Sequence, residues 1–424
     1  MKKSLLALAA MGAFASVAQA QSSVTVYGVI DEGYVGGNSR AAGPSTGTVP
    51  GVIKTTNSGF TGGNESTNRL GVRGVEDLGG GMSAFFTYET AITADGDSNN
   101  TNATTGLFST TRQAFVGLKK NGIGQAALGT QNTVIYDAVL ATAATGVNNI
   151  TGSLVDNMST KGIGTTAITT GTANTIGYET RVGNTLGLKS DKFMGFNVRA
   201  SLTAQSTNST VTTASGPTTN GVGGTNNQSG AAIALDYGWQ NLFLTANYQS
   251  FTSTANSNAG NTAPILFGST SATKGGSTNA LGTNIKDVGQ YYAATYDFGV
   301  LKGFAQYINR KANSDSLPGA YAKYTAQQIG VRSFITPALE GWIAGSMGKY
   351  QPMSAITGGV VGYTPGTNNL TAMQVGANYF LSKRTNLYAI YGQTSSSNIA
   401  LASASANTSS ANLNNYAIGV RHTF

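Results

Sequence analysis

From residue 24 onward the chain alternates between stretches of about ten residues with a two-residue hydrophobic period and breaks of two kinds, the signature of strands joined by turns and loops. The last stretch, 412–424 (NLNNYAIGVRHTF), is one such strand. It sets Tyr416, Ile418, Val420, His422 and Phe424 on one face and Ala417, Gly419, Arg421 and Thr423 on the other. A half-apolar strand left at a sheet edge templates aggregation, so it needs a partner. The strand-like VTVYGVI of 24–30 can supply one, and pairing first strand with last closes the wall.

Seven breaks are short: 77–82, 120–124, 189–192, 238–241, 298–300, 336–338 and 382–384. Each brings Gly, Asn, Asp or Pro to a place where a tight hairpin needs unusual dihedrals. Eight are long and rich in Ser, Thr, Asn and Gly: 38–66, 94–109, 133–171, 206–230, 253–285, 312–320, 351–369 and 395–411. Fifteen connections join sixteen strands, and their alternation puts both termini at the short-turn end. The predicted fold is therefore all-β, a 16-stranded antiparallel transmembrane β-barrel with short periplasmic turns and long extracellular loops.

Facing decides between a soluble and a membrane barrel. Leu242, Leu244, Ala246 and Tyr248 share one face of their strand, while Thr245, Asn247 and Gln249 share the other. The same split separates Met373, Val375, Ala377 and Tyr379 from Gln374 and Asn378. Tyrosines outnumber tryptophans 19 to 2 and gather near strand ends, which fits girdles at the lipid interfaces. Sixteen strands enclose enough space for water, so the apolar face points to lipid and the polar face inward.

Composition sharpens this picture. Residues 1–20 carry Lys2 and Lys3, an apolar run over 5–17 and then Ala18, Gln19 and Ala20, the arrangement of a secretory leader cut after Ala20, leaving 21–424 as the barrel, exported through the periplasm. No later apolar run approaches the ~18 residues of a spanning helix. Charged residues are 10% of the chain, and loss of the two leader lysines lowers the formal charge from +8 to about +6. The basic residues form no run of the kind a nucleic-acid binder gathers. There is no cysteine and one histidine, His422, so neither thiolate metal sites nor a catalytic triad finds its parts, and the chain reads as a non-enzyme without cofactor. Asp95, Asp97 and Asn99 have the spacing of a calcium loop, but Asn100 and Gly106 replace the Gly and Glu it needs. A secreted solenoid adhesin could share the composition, yet it would repeat at a fixed period, and these connections vary widely in length.

Several stretches resemble Gram-negative general porins of the β-proteobacterial and neisserial type: 24–31 (VTVYGVID), 68–82 (NRLGVRGVEDLGGGM), 111–118 (TRQAFVGL), 375–388 (VGANYFLSKRTNLY) and 418–424 (IGVRHTF). They match in order and reach both ends of the chain. The resemblance implies a homotrimeric outer-membrane channel for small hydrophilic solutes and ions, with the third loop folded into the lumen. It also implies that Phe424 belongs to the signal read by the barrel-insertion machinery. The third loop opens with VIYDAVL at 134–140, unusually apolar for a solvated segment. Where relatives of this type carry LGRQ, this chain has LGTQ at 128–131, so Thr130 replaces an arginine expected near the constriction, and 172–175 (TANT) lacks another.

In a channel, selection comes from diameter and from charges facing one another. Arg69 and Arg73 oppose Leu70 and Val72 on their strand, which makes them candidates for the lumen. Charge on the lipid face near mid-bilayer costs about 2–4 kcal/mol. Arg199 follows by the same parity, and Glu179 with Arg181 opposes Ile176 and Tyr178. Arg112 is a further candidate for the lumen, although it shares the parity of Ala114 and Val116. Acidic partners are expected in Glu89, Asp137 and Asp156, and Glu76 with Asp77 reads as a turn pair. The positive balance, if part of it lines the lumen, predicts a mild preference for anions.

Overall fold

A computed structural model describes residues 23–46, 49–93, 108–156, 180–209, 224–257, 285–314, 321–353, 367–399 and 409–424. The leader, Glu179, the Asp95 loop and 172–175 lie outside the described residues. The wall starts with β1 (Ser23–Thr46), β2 (Val49–Gly62), β3 (Arg69–Gly79), β4 (Met82–Ile92), β5 (Phe108–Lys120) and β6 (Gly124–Asn132). After the helix α1 (Val134–Thr142) come β7 (Arg181–Ser190), β8 (Phe196–Ser209), β9 (Gly224–Trp239), β10 (Leu242–Ser257), β11 (Ile285–Asp297) and β12 (Lys302–Ser314). The circuit ends with β13 (Tyr321–Thr336), β14 (Leu339–Met353), β15 (Asn368–Phe380), β16 (Thr385–Ile399) and β17 (Ser409–Thr423).

Every wall pairing is antiparallel, and β17 returns to β1, from Val29 opposite Thr423 to Arg40 opposite Asn412. Gly28 and Phe424 then exchange two backbone hydrogen bonds of 3.1 and 3.2 Å. The Phe424 ring lies where a Cβ on Gly28 would stand, so the seam admits only glycine at that point. Seventeen segments make sixteen wall strands, because β2 and β3 are the two halves of one strand. The start of β1 pairs with β3 (Val29 to Arg69) and its later part with β2 (Glu32 to Gly62).

That corrects the first long loop. Most of 38–66 is an extended hairpin, and the irregular part among the described residues is 63–68, where the second wall strand breaks inward. Asn64 and Asn68 are buried there. The Asp31 amide donates to Asn68 Oδ1 at 2.6 Å, and Asn68 Nδ2 donates to Glu32 Oε1 at 2.9 Å. The seven short turns fall where they are expected, and Asp77 accepts from the Gly79 amide at 2.9 Å as a turn residue.

The two faces are inverted relative to a soluble barrel. Val116, Ile329 and Ile343 are 61%, 71% and 57% exposed on the outside, while Asn247, Gln374 and Asn378 on the inside are buried. One part of the inner wall breaks the rule: Ala232, Ala234, Tyr291, Ala293, Ile308, Ala312, Tyr324 and Ala326 form an apolar floor on β9 and β11–β13. Burial of apolar area stabilises at ~25 cal/mol per Å², so this floor needs a cover, and α1 provides it.

Candidate functional site

The segment 133–156 leaves β6 and turns into the lumen. Thr133 caps α1 by accepting from the Tyr136 amide at 3.1 Å, and Asp137 in the first turn suits the positive end of the helix. Val134, Ile135, Ala138 and Val139 press onto the apolar floor. The apolar opening of the third loop is thus a helix with a docking face.

Arg199 on β8 fastens its start. Its Nε and Nη2 donate to the two carboxylate oxygens of Asp236 at 2.8 and 2.9 Å, and its Nη1 donates to the Val134 carbonyl at 2.9 Å. Asp137 stands 3.8 Å from the same guanidinium and accepts from Asn132 Nδ2 at 2.7 Å. Arg199 faces inward as parity predicts, but it is buried and its charge is spent on the protein.

Beyond α1 the loop crosses the inner face toward β16. Arg332, paired with Glu340 at 2.7 Å, donates to the Ala144 carbonyl at 3.1 Å. Asn148 and Gln374 exchange amide hydrogen bonds of 2.7 and 3.0 Å, and Gln374 Nε2 also donates to the carbonyls of Ile150 and Thr151. The Asn149 amide donates to the Asn64 carbonyl at 2.9 Å, joining the loop to the inward break at 63–68. Tyr324 donates to the Leu154 carbonyl at 2.6 Å.

Two consequences are testable. The Thr151 carbonyl lies directly over Gly392, leaving no room for a Cβ. Gly392→Val should push 150–152 toward the axis and lower single-channel conductance, with ion preference unchanged because no charge is touched. Asp156 is buried and takes hydrogen bonds from Thr145, from Gln306 at 3.1 Å and from Gln328 at 3.2 Å, all neutral groups. Burial raises its pKa above the ordinary carboxyl value, and these bonds oppose the rise without cancelling it. The folded loop therefore binds the proton more tightly than the free segment does. Its docking is strongest below the ordinary carboxyl range and weakens as pH climbs through the raised value. Loop-dependent current noise should grow from pH 4 to pH 7 in the wild type and stay flat in Asp156→Asn.

The opposite wall, β3–β7, carries the basic group. Arg69 donates to the Thr67 carbonyl at 3.1 Å and to Ser66 Oγ at 3.0 Å. Arg112 pairs with Glu89 at 2.6 Å, Tyr27 donates to the second Glu89 oxygen at 3.2 Å, and Arg181 lies 5.3 Å from the centroid of the Tyr136 ring on α1. Arg69, Arg112 and Arg181 are near enough for their charges to act on one another. Three guanidinium groups around one carboxylate leave the cluster positive. Arg73 lies further toward the short turns, exposed, with its guanidinium 5.4 Å from the Tyr27 ring.

Arg112 faces inward although it shares the parity of Ala114 and Val116. The β4–β5 register shifts between Glu89 and Thr90, so Arg112 is the extra residue of a bulge. A bulge turns one side chain to the other face, which is how Arg112 reaches Glu89 while Val116 stays outside. Thr130 sits opposite Ala114 beside a second register shift, between Gly129 and Gln131. Asp236, Gln374, Arg332 and Glu340 are site residues that sequence reading missed. Alternation marks the inward side chains without saying which of them touch a loop.

A closed wall with a polar inside, a loop fastened across it and a net basic charge facing that loop define a channel-type transmembrane β-barrel. A family model described as Gram-negative porin matches residues 7–399, and the chain belongs to that family, whose place is the outer membrane. Curated relatives are outer membrane porin proteins of Bordetella pertussis, 36% identical over 138 residues, and Delftia acidovorans, 38% identical over 148. The matches span 32% and 34% of this chain and only 34% and 37% of those relatives. Among solved structures, an anion-selective porin from Comamonas acidovorans matches with TM-score 0.61 at 19% identity, covering 95% of this chain and 100% of that one. The trimer form of OmpT from Vibrio cholerae matches with TM-score 0.57 at 14% identity, covering 95% and 99%. At those identities the likeness speaks of fold alone.

Proposed function

We propose that this chain, cut after Ala20 on export, forms a homotrimeric general diffusion porin. Small hydrophilic solutes and ions cross it down their gradients, with a mild preference for anions. The observation that carries the reading is the arrangement across the lumen: segment 133–156 fastened to one wall and Arg69, Arg112 and Arg181 on the other, with Glu89 the carboxylate among them. Arg73 extends the positive path toward the short-turn end, and Thr130 belongs to the same stretch of wall. Asp137 is the acidic group on the loop side, whereas Arg199 and Asp156 act as fasteners.

Pores select by diameter and facing charge without a reaction, and fixed positive charge enriches anions inside. Phe424, packed at the seam, is the residue we assign to recognition by the insertion machinery. The test is current through planar bilayers in asymmetric KCl. Ohmic channels with a zero-current potential of the anion-selective sign support the reading, and a cation-selective sign overturns the preference. Migration of unheated protein as a compact trimer, lost on boiling, tests assembly; a single heat-insensitive band sinks the trimer.

A further inference from the structure

The outside of β11–β14 departs from the apolar belt in one place. Tyr292, Tyr307, Gln327 and Met347 are cross-strand neighbours on the outward face. The next row toward the long connections holds Gln290, Asn309, Thr325 and Lys349, and the row beyond it Val288, Lys311, Lys323 and Gln351. Lys286, Lys311 and Lys349 are exposed and Lys323 is half-buried. Among the described residues, the outward face of these four strands carries no carboxylate.

Lys311 and Lys323 stand directly opposite one another, with Lys349 diagonal to Lys323. Like charges in that position destabilise a sheet, and diagonal neighbours are ~7–8 Å apart, so an anion set among them would turn repulsion into attraction. The Lys311 ammonium also lies 4.5 Å from the Tyr321 ring centroid, a cation–π contact that positions the charge without neutralising it.

Directly below runs a groove of about 1110 Å³. Ala246, Ala294, Ala305 and Gly345 lie low in it, and Leu235, Leu244, Tyr292, Tyr307, Ile329 and Met347 stand around them. Small residues among large ones make a trough on a surface that faces lipid. At ~3.3 Å per residue, Lys349 lies about 7 Å above Met347, and Lys311 and Lys323 about 13 Å above Tyr307 and Gln327. That is the reach of a lipid from its phosphate to its upper acyl chain.

We propose that Lys311, Lys323 and Lys349 bind the phosphate-bearing headgroup of an anionic outer-leaflet lipid, one acyl chain of which lies in the groove over Ala294 and Ala305. The proposal rests on the reading of the chain as an outer-membrane barrel with its long connections outward. Charge complementarity selects the occupant, because a neutral lipid would fill the trough and leave the three ammonium groups unmatched.

Native mass spectrometry of the purified protein in detergent, with phosphatidylglycerol as the probe and phosphatidylcholine as the neutral control, tests it. Wild type should retain phosphatidylglycerol in preference. K311Q/K323Q/K349Q should bind it at least about tenfold more weakly, given the contribution of each lysine near an anionic lipid. K311R/K323R/K349R should restore binding, and Gly345→Leu should weaken it by filling the trough. Millimolar inorganic phosphate should fail to displace the lipid; displacement would show that the groove contributes nothing and overturn the proposal. Equal affinity in wild type and the glutamine variant, or equal retention of phosphatidylcholine, would also overturn it. Bilayer conductance separates the two readings: these lysines lie outside the lumen, so unchanged channels with unchanged lipid binding sink only the lipid site.

Discussion

Replacing Arg69, Arg112 and Arg181 together by glutamine is expected to move the zero-current potential from the anion-selective to the cation-selective sign. The three side chains share one stretch of wall, with Arg181 against Tyr136 of α1, and Glu89 is the carboxylate among them. Glutamine keeps hydrogen-bonding capacity and approximate length, so the wall stays polar while its charge goes from positive to negative. Glu89, now without Arg112, becomes the main fixed charge at that level. Conductance in 1 M salt should change far less than selectivity, since the Debye length there is about 3 Å. Arg112→Gln alone should produce the largest single shift, because it both removes a cation and unmasks the carboxylate held at 2.6 Å. A triple variant that retained anion preference would show that the preference arises elsewhere on the barrel.

The second large effect concerns the helix. Arg199→Ala should free the start of α1 from the wall, seen as frequent partial closures in single-channel records. Asp236, which accepts two bonds from Arg199, would keep Thr245 as a donor at 2.6 Å but lose its counter-charge. Stripping one partner from a buried pair costs about 3–5 kcal/mol. Here the loss is shared between Asp236 and the Val134 carbonyl, which also loses its donor. Asp236→Asn combined with Arg199→Ala should recover part of it, since no buried charge is then left alone. If Arg199→Ala channels were as quiet as wild type, the helix would be held by its apolar face.

Much of this architecture was legible in the chain. Tight turns carry their own chemistry, and a period of two fixes which residues share a face, so the wall, its inversion and its closure by residues 412–424 could all be anticipated. What escaped has common causes. Arg112 shares the parity of outward Val116, and the bulge that turns it inward leaves no mark on periodicity beyond one extra residue. The strand continuing through 38–62 was hidden because its Gly, Ser, Thr and Asn content is that of a loop, and backbone pairing with β1 overrides that weak preference. Arg199 and Asp156 have partners far along the chain, Asp236 for one and Gln306 with Gln328 for the other. No local pattern joins them. The apolar floor beneath α1 did leave a trace, alanines at 232, 234 and 293, where strand patterning expects polar inward residues.

The seam between residues 144–154 and the inner wall consists largely of amides, hydroxyls and backbone carbonyls, with Gln374 as its hub. Counter-ions have little to screen in such a join, whereas the guanidinium cluster across from it is open to them. The aperture's size and its charge discrimination are therefore built from different materials on different walls. In concentrated electrolyte the molecule should lose its ability to tell one ion sign from the other while still refusing the same bulky solutes.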